Sequence, residues 1–285
     1  MDRVARNALR EAARGGADCM LVQVARIEGS APREAGAGMV VTRHAVHGTV
    51  GGGHLELKSI ALAREQLAQG APTANFEVRF PLGPALGQCC GGVAHIRFDF
   101  CQRGVAPPGA LMQAPRPLFH LVLFGAGHVA QALVQVLAAV DCGITWVDSR
   151  EQQFPPEVPE QVSVEFSEHP ADEVCHAPPG AFYLVMTHSH ALDLVIVEAI
   201  LKRGDAGFVG LIGSQTKRMR FEHRLADQGF SAAQIATVVS PIGVAGVTGK
   251  APGIVAIAAA AQLLAVATRH AGACKSQEFP LSVRT

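Results

Sequence analysis

The chain has 285 residues, 49% of them hydrophobic, and its 24 Lys and Arg residues balance 24 Asp and Glu residues. A chain of this length and apolar content can bury a substantial core, in one large domain or two of ordinary size. The zero formal charge and the pI of about 7.2 exclude a global field that recruits nucleic acid or anionic lipid, so partners must be recognised by local sites.

The N-terminal sequence predicts a charged helix near Val4 to Arg14. Because it has no apolar signal core, we expect no secretion signal and a cytoplasmic protein. The most apolar stretch, GIVAIAAAAQLLAVAT from Gly253, is shorter than the roughly 20 residues that span a bilayer, so it predicts a buried helix and no membrane partner. The seven cysteines include no Cys-x-x-Cys pair, so neither a disulfide framework nor a zinc ribbon is indicated.

Periodicity predicts a smaller N-terminal α/β domain over residues 1–102. Its strands are CMLVQVARI, MVVT, FEVRF and VAHIRFDF, and its second helix is HLELKSIALAREQLAQ. The Pro- and Gly-rich segment RGVAPPGALMQAPRP follows, and we interpret residues 103–117 as an interdomain linker.

Residues 118–285 alternate strands with helices. The strands are LFHLVLF, ITWVD, VSVEF, FYLVM and FVGLI, and the first helix runs from His128 to Val140. This alternation is typical of a doubly wound parallel sheet, so the fold class is α/β with a C-terminal Rossmann-like domain.

A glycine motif joins the first strand of this domain to its first helix. In FGAGHVAQAL, Gly125 and Gly127 match G-x-G-x-x-A in the required strand-turn-helix context. Asp148 ends the next strand, about 20 residues further on, where an acidic residue commonly binds a ribose-type diol. The motif predicts a nucleotide or nucleotide-like group in the Rossmann cleft. The alternative is a structural turn, with Asp148 simply solvated.

Two further polar segments follow strands, at the edge where such sheets bind ligands. The segment THSHALD supplies His188, His190 and Asp193, which we interpret as groups that bind a polar ligand or orient the loop. A metal-hydrolase site is disfavoured because Leu192 occupies a position that would need an acid. Ser214 and Lys217 begin a later helix and suit an anion, although a capped helix with an exposed Lys fits them as well.

Three glycine-rich turns in the N-terminal domain carry the remaining candidates, and composition alone favours plain turns over a binding site, since glycines are common at turns. Unhindered amides beside Arg33 suit a phosphate, and a thiol beside glycines is accessible to a metal or a sulfur carrier. The candidate residues in these turns are Ser30, Arg33, Gly52, Gly53, His54, Glu56, Cys90 and Gly91.

Taken together, these segments resemble the xanthine dehydrogenase accessory protein family, also called the XdhC/CoxI family. The resemblance covers nearly the whole chain. It rests on GSAPREAGAGMVV, GTVGGGHLE, the CGG at Cys90, FGAGHVAQAL with WVDSR, THSHALD, GLIGSQTKRMRF, and SPIG before the last helix.

The resemblance implies a chaperone more than a turnover enzyme. Such a protein binds molybdenum cofactor (molybdopterin), supports its sulfuration and inserts it into apo xanthine dehydrogenase. The implied partners are that apoenzyme, a cysteine desulfurase and further copies of the chain. We hypothesise that Cys90 approaches the cofactor molybdenum or carries sulfur, with Cys89 as its alternative.

Two other functions stay open at this point. An NAD-dependent oxidoreductase accounts for the Rossmann motif and Asp148 but leaves the N-terminal glycine and cysteine pattern unexplained. A nucleotide-sensing regulatory protein would use the same cleft without transferring a cofactor.

Overall fold

The computed structural model describes residues 1, 3–70, 75–82, 91–105 and 117–276. By its internal contacts the chain divides into two compact units, Met1–Arg116 and Pro117–Thr285. Most of the proposed linker, residues 106–116, lies outside the described residues, as do Cys89 and Cys90.

The first unit is an antiparallel sheet with a helix on each face. Its strands are β1 (Cys19–Glu28), β2 (Gly38–Val41), β3 (Val46–Gly48), β4 (Phe76–Pro81) and β5 (Val93–Cys101), and its helices are α1 (Arg3–Ala13) and α2 (Gly53–Gln69). The strand order is β3-β2-β1-β5-β4, and every neighbouring pair is antiparallel. This pairing places the end of β1, the start of β2, the end of β3, the end of β4 and the start of β5 at one end of the sheet.

Alternate residues of β1 fill two separate cores. Met20 and Val22 pack with Leu55 of α2 on one face. Leu21 packs with Leu9 of α1 on the other face. Since successive strand residues point to opposite faces, an unbroken apolar strand such as CMLV requires cover on both sides, which the two helices provide.

The second unit is a parallel sheet. Its strands are β6 (His120–Phe124), β7 (Gly143–Asp148), β8 (Val162–Phe166), β9 (Phe182–Val185), β10 (Phe208–Leu211) and β11 (Val238–Val239). Its helices are α3 (His128–Leu137), α4 (His190–Arg203), α5 (Gln215–Asp227), α6 (Ala232–Ala236) and α7 (Pro252–Ser276), with 3-10 turns at Glu151–Gln153 and Pro170–His176. The strand order is β8-β7-β6-β9-β10-β11, with every pair parallel. This is the doubly wound Rossmann order, which confirms the predicted fold class.

Helices cover both faces of this sheet. Leu133 of α3 and Leu263 of α7 are buried in one core, around Trp146. Ile196 of α4 and Phe221 of α5 are buried in the other. The helix that follows β6 and the helix that follows β9 therefore pack on opposite faces, so the chain reverses its winding between these two adjacent strands.

The last helix is longer than its apolar sequence stretch suggested. Over Pro252–His270 it is long and apolar enough to cross a membrane by length and composition, which is weak evidence because core helices pass the same test. Ala256, Ala259 and Leu263 are buried against the parallel sheet. One face of the helix is therefore packed in this core, and 33% of the apolar stretch is buried within the described residues.

Candidate functional site

The strand order of the second unit fixes where a ligand-binding crevice lies. In doubly wound sheets, ligands bind beyond the carboxyl ends of the strands, at the point where the winding reverses. That point is between β6 and β9, which are hydrogen-bonded neighbours. The motif glycines follow β6 and the THSH segment follows β9, so the fold brings these two predicted segments to one place.

Gly125 and Gly127 meet different requirements in the turn after β6. Gly125 has φ +108°, and a Cβ there would lie 2.7 Å from the carbonyl carbon of Met186 and 3.1 Å from Cα of Thr187. The Trp146 indole donates a 2.8 Å hydrogen bond to the Gly125 carbonyl, which fixes the turn further. Gly127 has no atom within 4 Å of a Cβ position. Gly125 thus serves packing, whereas Gly127 leaves room for a ligand.

The N-terminus of α3 is open at this turn. Gly127 occupies the N-cap position and, since glycine has no side chain, cannot cap the helix with one. Helix N-termini carry N–H groups without intrahelical partners and favour anions. The exposed His128 is the first residue of this helix. The turn therefore suits an anionic group at Gly127.

The structure gives Asp148 a different role from the predicted ribose contact. One carboxylate oxygen accepts from the Ala126 amide at 2.6 Å and from the Arg150 guanidinium at 2.9 Å. The other accepts from the amide and Nε of Arg150 at 2.9 and 3.0 Å. An ionised carboxylate has about four acceptor positions. Asp148 is buried, not solvated, and its acceptor positions are already used to hold the glycine turn.

Asp193 is a buried anchor for the loop after β9. It is fully buried and accepts hydrogen bonds from the amide and the hydroxyl of Thr187, at 2.9 and 2.7 Å. Its second oxygen forms a 2.6 Å ion pair with Lys217. The prediction that Asp193 orients the loop agrees with these contacts. His188 and His190 are exposed on the loop that it holds.

Lys217 is neither exposed nor available as a simple anion ligand. Its ammonium group is bonded to Asp193 and to the Ile212 carbonyl, at 2.6 and 2.8 Å, and its side chain is only 8% exposed. The Ser214 hydroxyl accepts from the Lys217 amide and caps α5. Lys217 therefore has a structural role in place of the predicted anion-binding role, since its ammonium group is paired with a buried carboxylate.

The glycine-rich turns of the first unit converge at one end of its sheet. A Cβ on Gly51 would lie 2.7 Å from Cβ of Pro32 and 3.4 Å from Cγ of Arg33. A Cβ on Gly92 would lie 2.7 Å from the Glu28 carbonyl and would also clash with the Ser30 carbonyl. The turns after β1 and after β3 and the segment before β5 are therefore in direct contact.

Several predicted residues of this end are open to solvent. Ser30, His54 and Gly91 are exposed, and Arg33 is half-buried. Gly51, Gly52 and Gly53 all have positive φ, a run of backbone that only glycine adopts readily. A Cβ at Gly52 or Gly91 would meet no atom within 4 Å. Cys90, which precedes Gly91, lies outside the described residues.

Glu56 holds the glycine turn after β3. One oxygen of its carboxylate accepts from the amides of Val50 and Gly52 at 3.1 and 3.2 Å, and from the Thr49 hydroxyl. This oxygen therefore holds the glycine turn closed, and the predicted binding role of Glu56 stays a prediction for its other oxygen. Its position in the first turn of α2 also suits a carboxylate.

Sequence reasoning missed a polar cluster beside these turns. His95 is buried, and its ring nitrogens lie 3.0 Å from Glu28 and 3.1 Å from Glu77. The hydrogen bond with His95 holds the pKa of the Glu28 carboxyl below its usual value. Arg26 lies 2.8 Å from the same carboxylate. Only the register of three neighbouring strands brings these residues together, and no local pattern encodes it.

Comparison with known proteins identifies the family. Residues 121–263 match the model of the XdhC Rossmann domain, and residues 12–81 match that of the XdhC and CoxI family. The chain belongs to the XdhC and CoxI family. The Rossmann-domain match contains both segments at the reversal of the parallel sheet. The XdhC and CoxI match contains the first two glycine turns and ends before Cys90.

A curated relative and a solved structure agree with this membership. The chain is 27% identical over 260 residues to an uncharacterized protein, YqeB, of Escherichia coli, and the match covers 88% of this chain and 44% of that protein. A Bacillus halodurans crystal structure described as a xanthine dehydrogenase has a TM-score of 0.72 at 18% identity, over 93% of this chain and 96% of the other. At that identity the second match shows a shared fold.

Proposed function

We propose that the chain is an accessory protein for the maturation of xanthine dehydrogenase. It binds molybdenum cofactor as cargo, supports its conversion to the sulfurated form and delivers it to the apoenzyme. The proposal rests on family membership and on one observation, the convergence of three glycine-rich turns at one end of the antiparallel sheet.

The converging turns have the chemistry that this cargo requires. Molybdopterin carries a phosphate and a pterin rich in hydrogen-bond donors and acceptors. Gly52 and Gly91 leave their backbone unhindered, and Arg33, which lies beside Gly51, supplies a positive charge at these turns. Successive free amides together with Arg suit a phosphate. In the second unit, Gly127 and the open N-terminus of α3 offer a further position for an anionic group.

Within this proposal, Cys90 is the residue that approaches the molybdenum or carries sulfur, and Cys89 is its alternative. Cys90 immediately precedes Gly91, which is exposed at the converging turns. A thiolate is a good ligand for a soft metal centre and a good acceptor for sulfur. A cysteine desulfurase would supply the sulfur, and we expect a cytoplasmic protein that associates with further copies of itself.

An NAD-dependent oxidoreductase is the main competing function, and the geometry of Asp148 weighs against it. That function needs an acceptor for the ribose diol at the end of β7. The carboxylate of Asp148 instead accepts four hydrogen bonds from Ala126 and Arg150. A dinucleotide would have to displace these internal donors before binding there.

The decisive experiment mixes purified protein with molybdenum cofactor, removes free ligand, and quantifies retained pterin and molybdenum. We expect wild type to retain the cofactor stoichiometrically and to activate apo xanthine dehydrogenase. Cys90→Ala should lose molybdenum retention or activation. If folded wild type does not retain the cofactor, the proposed carrier function is wrong. Binding of NAD instead would favour the oxidoreductase.

Matched glycine variants assign the binding site. Gly52→Ala places a methyl group in the glycine turn, and Gly70→Ala places one at the other end of α2; both positions have positive φ and no neighbour within 4 Å. The two changes therefore strain the backbone in the same way. Loss of cofactor in Gly52→Ala alone supports the converging turns as the site, whereas equal retention by both variants argues against it. Gly127→Asp, with Gly253→Asp as its control, tests the turn before α3 in the same way.

A further inference from the structure

A small groove beside α5 is lined by hydrogen-bond donors and cations. It has a volume of about 160 Å³. Its polar lining comes from the start of α4 and from successive turns of α5: His190, Ser214, Thr216, Lys217, Arg220 and Arg224. None of these side chains is a carboxylate, so the groove presents positive charge without an acidic counterpart in its lining.

The two arginines of the groove repel each other. Arg220 and Arg224 are four residues apart on α5, which places them side by side on one face of the helix. A like-charge pair at this spacing destabilises a helix by a few tenths of a kcal/mol. Both residues are exposed. Arg218 on the same helix is, by contrast, paired with Glu222 at 2.7 Å.

Lys217 does not supply the free charge of the groove. Its ammonium group is bonded to the buried carboxylate of Asp193. The N-terminus of α5 is also occupied, because the Ser214 hydroxyl caps it by accepting from the Lys217 amide. Within the lining that the described residues form, the remaining positive charge therefore belongs to Arg220 and Arg224, on the side of the helix rather than at its end.

We propose that this groove is a binding site for a phosphate-class oxyanion, held by Arg220 and Arg224. A guanidinium presents paired N–H donors that match phosphate oxygens, and two of them offset the doubly negative charge of the ligand. The hydroxyls of Ser214 and Thr216 and the ring of His190 add donors at the other end. The ligand also relieves the repulsion between the arginines.

The size of the groove restricts what it holds. Pockets for whole drug-sized ligands usually measure about 300–1,000 Å³. A volume of about 160 Å³ suits a phosphate or diphosphate group rather than a complete nucleotide or pterin. The phosphate is either a free inorganic ion or the end of a larger phosphoester whose organic part lies outside.

Calorimetric titration of the full chain tests the site, with inorganic phosphate, pyrophosphate and AMP as probes at an ionic strength held constant with chloride. We expect saturable binding by wild type and a loss of about tenfold or more when Arg220→Ala and Arg224→Ala are combined. The control combines Lys202→Ala with Arg269→Ala, which removes two exposed positive charges outside the groove. The control should stay within about twofold of wild type.

The results distinguish a free phosphate ion from a phosphoester as the ligand, and they show whether Arg220 and Arg224 bind it. Tighter binding of AMP than of phosphate identifies a phosphoester, and the reverse order identifies a free ion. No saturable binding of any probe to wild type, unchanged binding by the arginine variant, or an equal loss in the control overturns the proposal. Circular dichroism establishes that both variants are folded. Retention of molybdenum cofactor is measured separately, so failure of the groove and failure of the carrier function are distinguishable.

Discussion

At the scale of single residues, the pair of Asp193 and Lys217 links the two loops that follow β9 and β10. Asp193 is fully buried, and its carboxylate receives the Lys217 ammonium at 2.6 Å. Removing one member of a buried ion pair leaves an uncompensated charge and costs about 3–5 kcal/mol. We therefore expect Lys217→Met to lower the free energy of unfolding by about 3 kcal/mol, as measured by urea denaturation.

A double-variant cycle separates this structural role from a ligand role. In an Asp193→Asn background there is no buried carboxylate left without its ion-pair partner. There, the loss of unfolding free energy caused by Lys217→Met should be at least about 2 kcal/mol smaller than in wild type. If Lys217→Met lowers the free energy of unfolding of wild type by less than about 1 kcal/mol, the ion pair is contradicted. The hypothesis that Lys217 binds an anionic ligand would then be favoured.

Asp148 gives the second unit a dependence on acidic pH. Burial alone would raise the pKa of its carboxyl, but hydrogen bonds from Arg150 and from the Ala126 amide outweigh burial and hold this pKa below the usual 3.8. A carboxyl with a lowered pKa contributes stability above its unfolded pKa and loses it as pH falls through its folded pKa. Asp148→Asn should therefore cost roughly 3 kcal/mol at pH 7.

The pH profile of this variant is the diagnostic measurement. The stability difference between wild type and Asp148→Asn should be constant above about pH 5 and shrink below about pH 4, where the carboxyl of the unfolded chain begins to be protonated. It should go on shrinking until the pH falls below the lowered pKa of the folded carboxyl. Urea denaturation at each pH measures both proteins. A difference that is the same at pH 3 and pH 7 would show that the charge of Asp148 does not carry the effect.

At the scale of elements, the turn between β6 and α3 has one glycine for packing and one that leaves open space. Gly125→Ala forces a positive φ on alanine and drives its methyl group into the backbone at Met186, so we expect a loss of about 3 kcal/mol or more. Gly127→Ala has an ordinary φ of −74° and no neighbour within 4 Å. Since alanine is a poorer N-cap than glycine, this variant should lose no more than about 1 kcal/mol in urea unfolding, and a loss equal to that of Gly125→Ala would contradict this division of roles.

Most elements could be predicted because their apolar periodicity is long and strong. The strand VSVEF occupies the residues that the sequence predicted, and the helix predicted to end at Val140 ends at Leu137. Two strands were missed. Val46–Gly48 and Val238–Val239 are too short to show a period, and pairing with β2 and β10 creates them.

At the scale of the whole molecule, the sequence predicted which segments carry polar groups. It did not predict which hydrogen-bond partners those groups have. The positions of Gly125 and His188 follow from the parallel-sheet rule, because both come after strands. The bonds of Asp148, Glu56 and Lys217 depend on how loops fold back on themselves. In a sequence, a carboxylate that accepts hydrogen bonds from its own loop cannot be distinguished from one that binds a ligand. These roles could therefore be assigned only from the structure.

The core composition of the second unit predicts that it folds alone. Both of its apolar clusters consist entirely of residues between Phe119 and Ala267. We expect residues 117–276 expressed alone to unfold in one cooperative transition, seen together by circular dichroism and by the fluorescence of the buried Trp146. Residues 117–249, which lack α7, should fail to fold, because the truncation removes Ala256 and Leu263 from the core around Trp146. A cooperative transition in that shorter fragment would show that α7 is dispensable for the core.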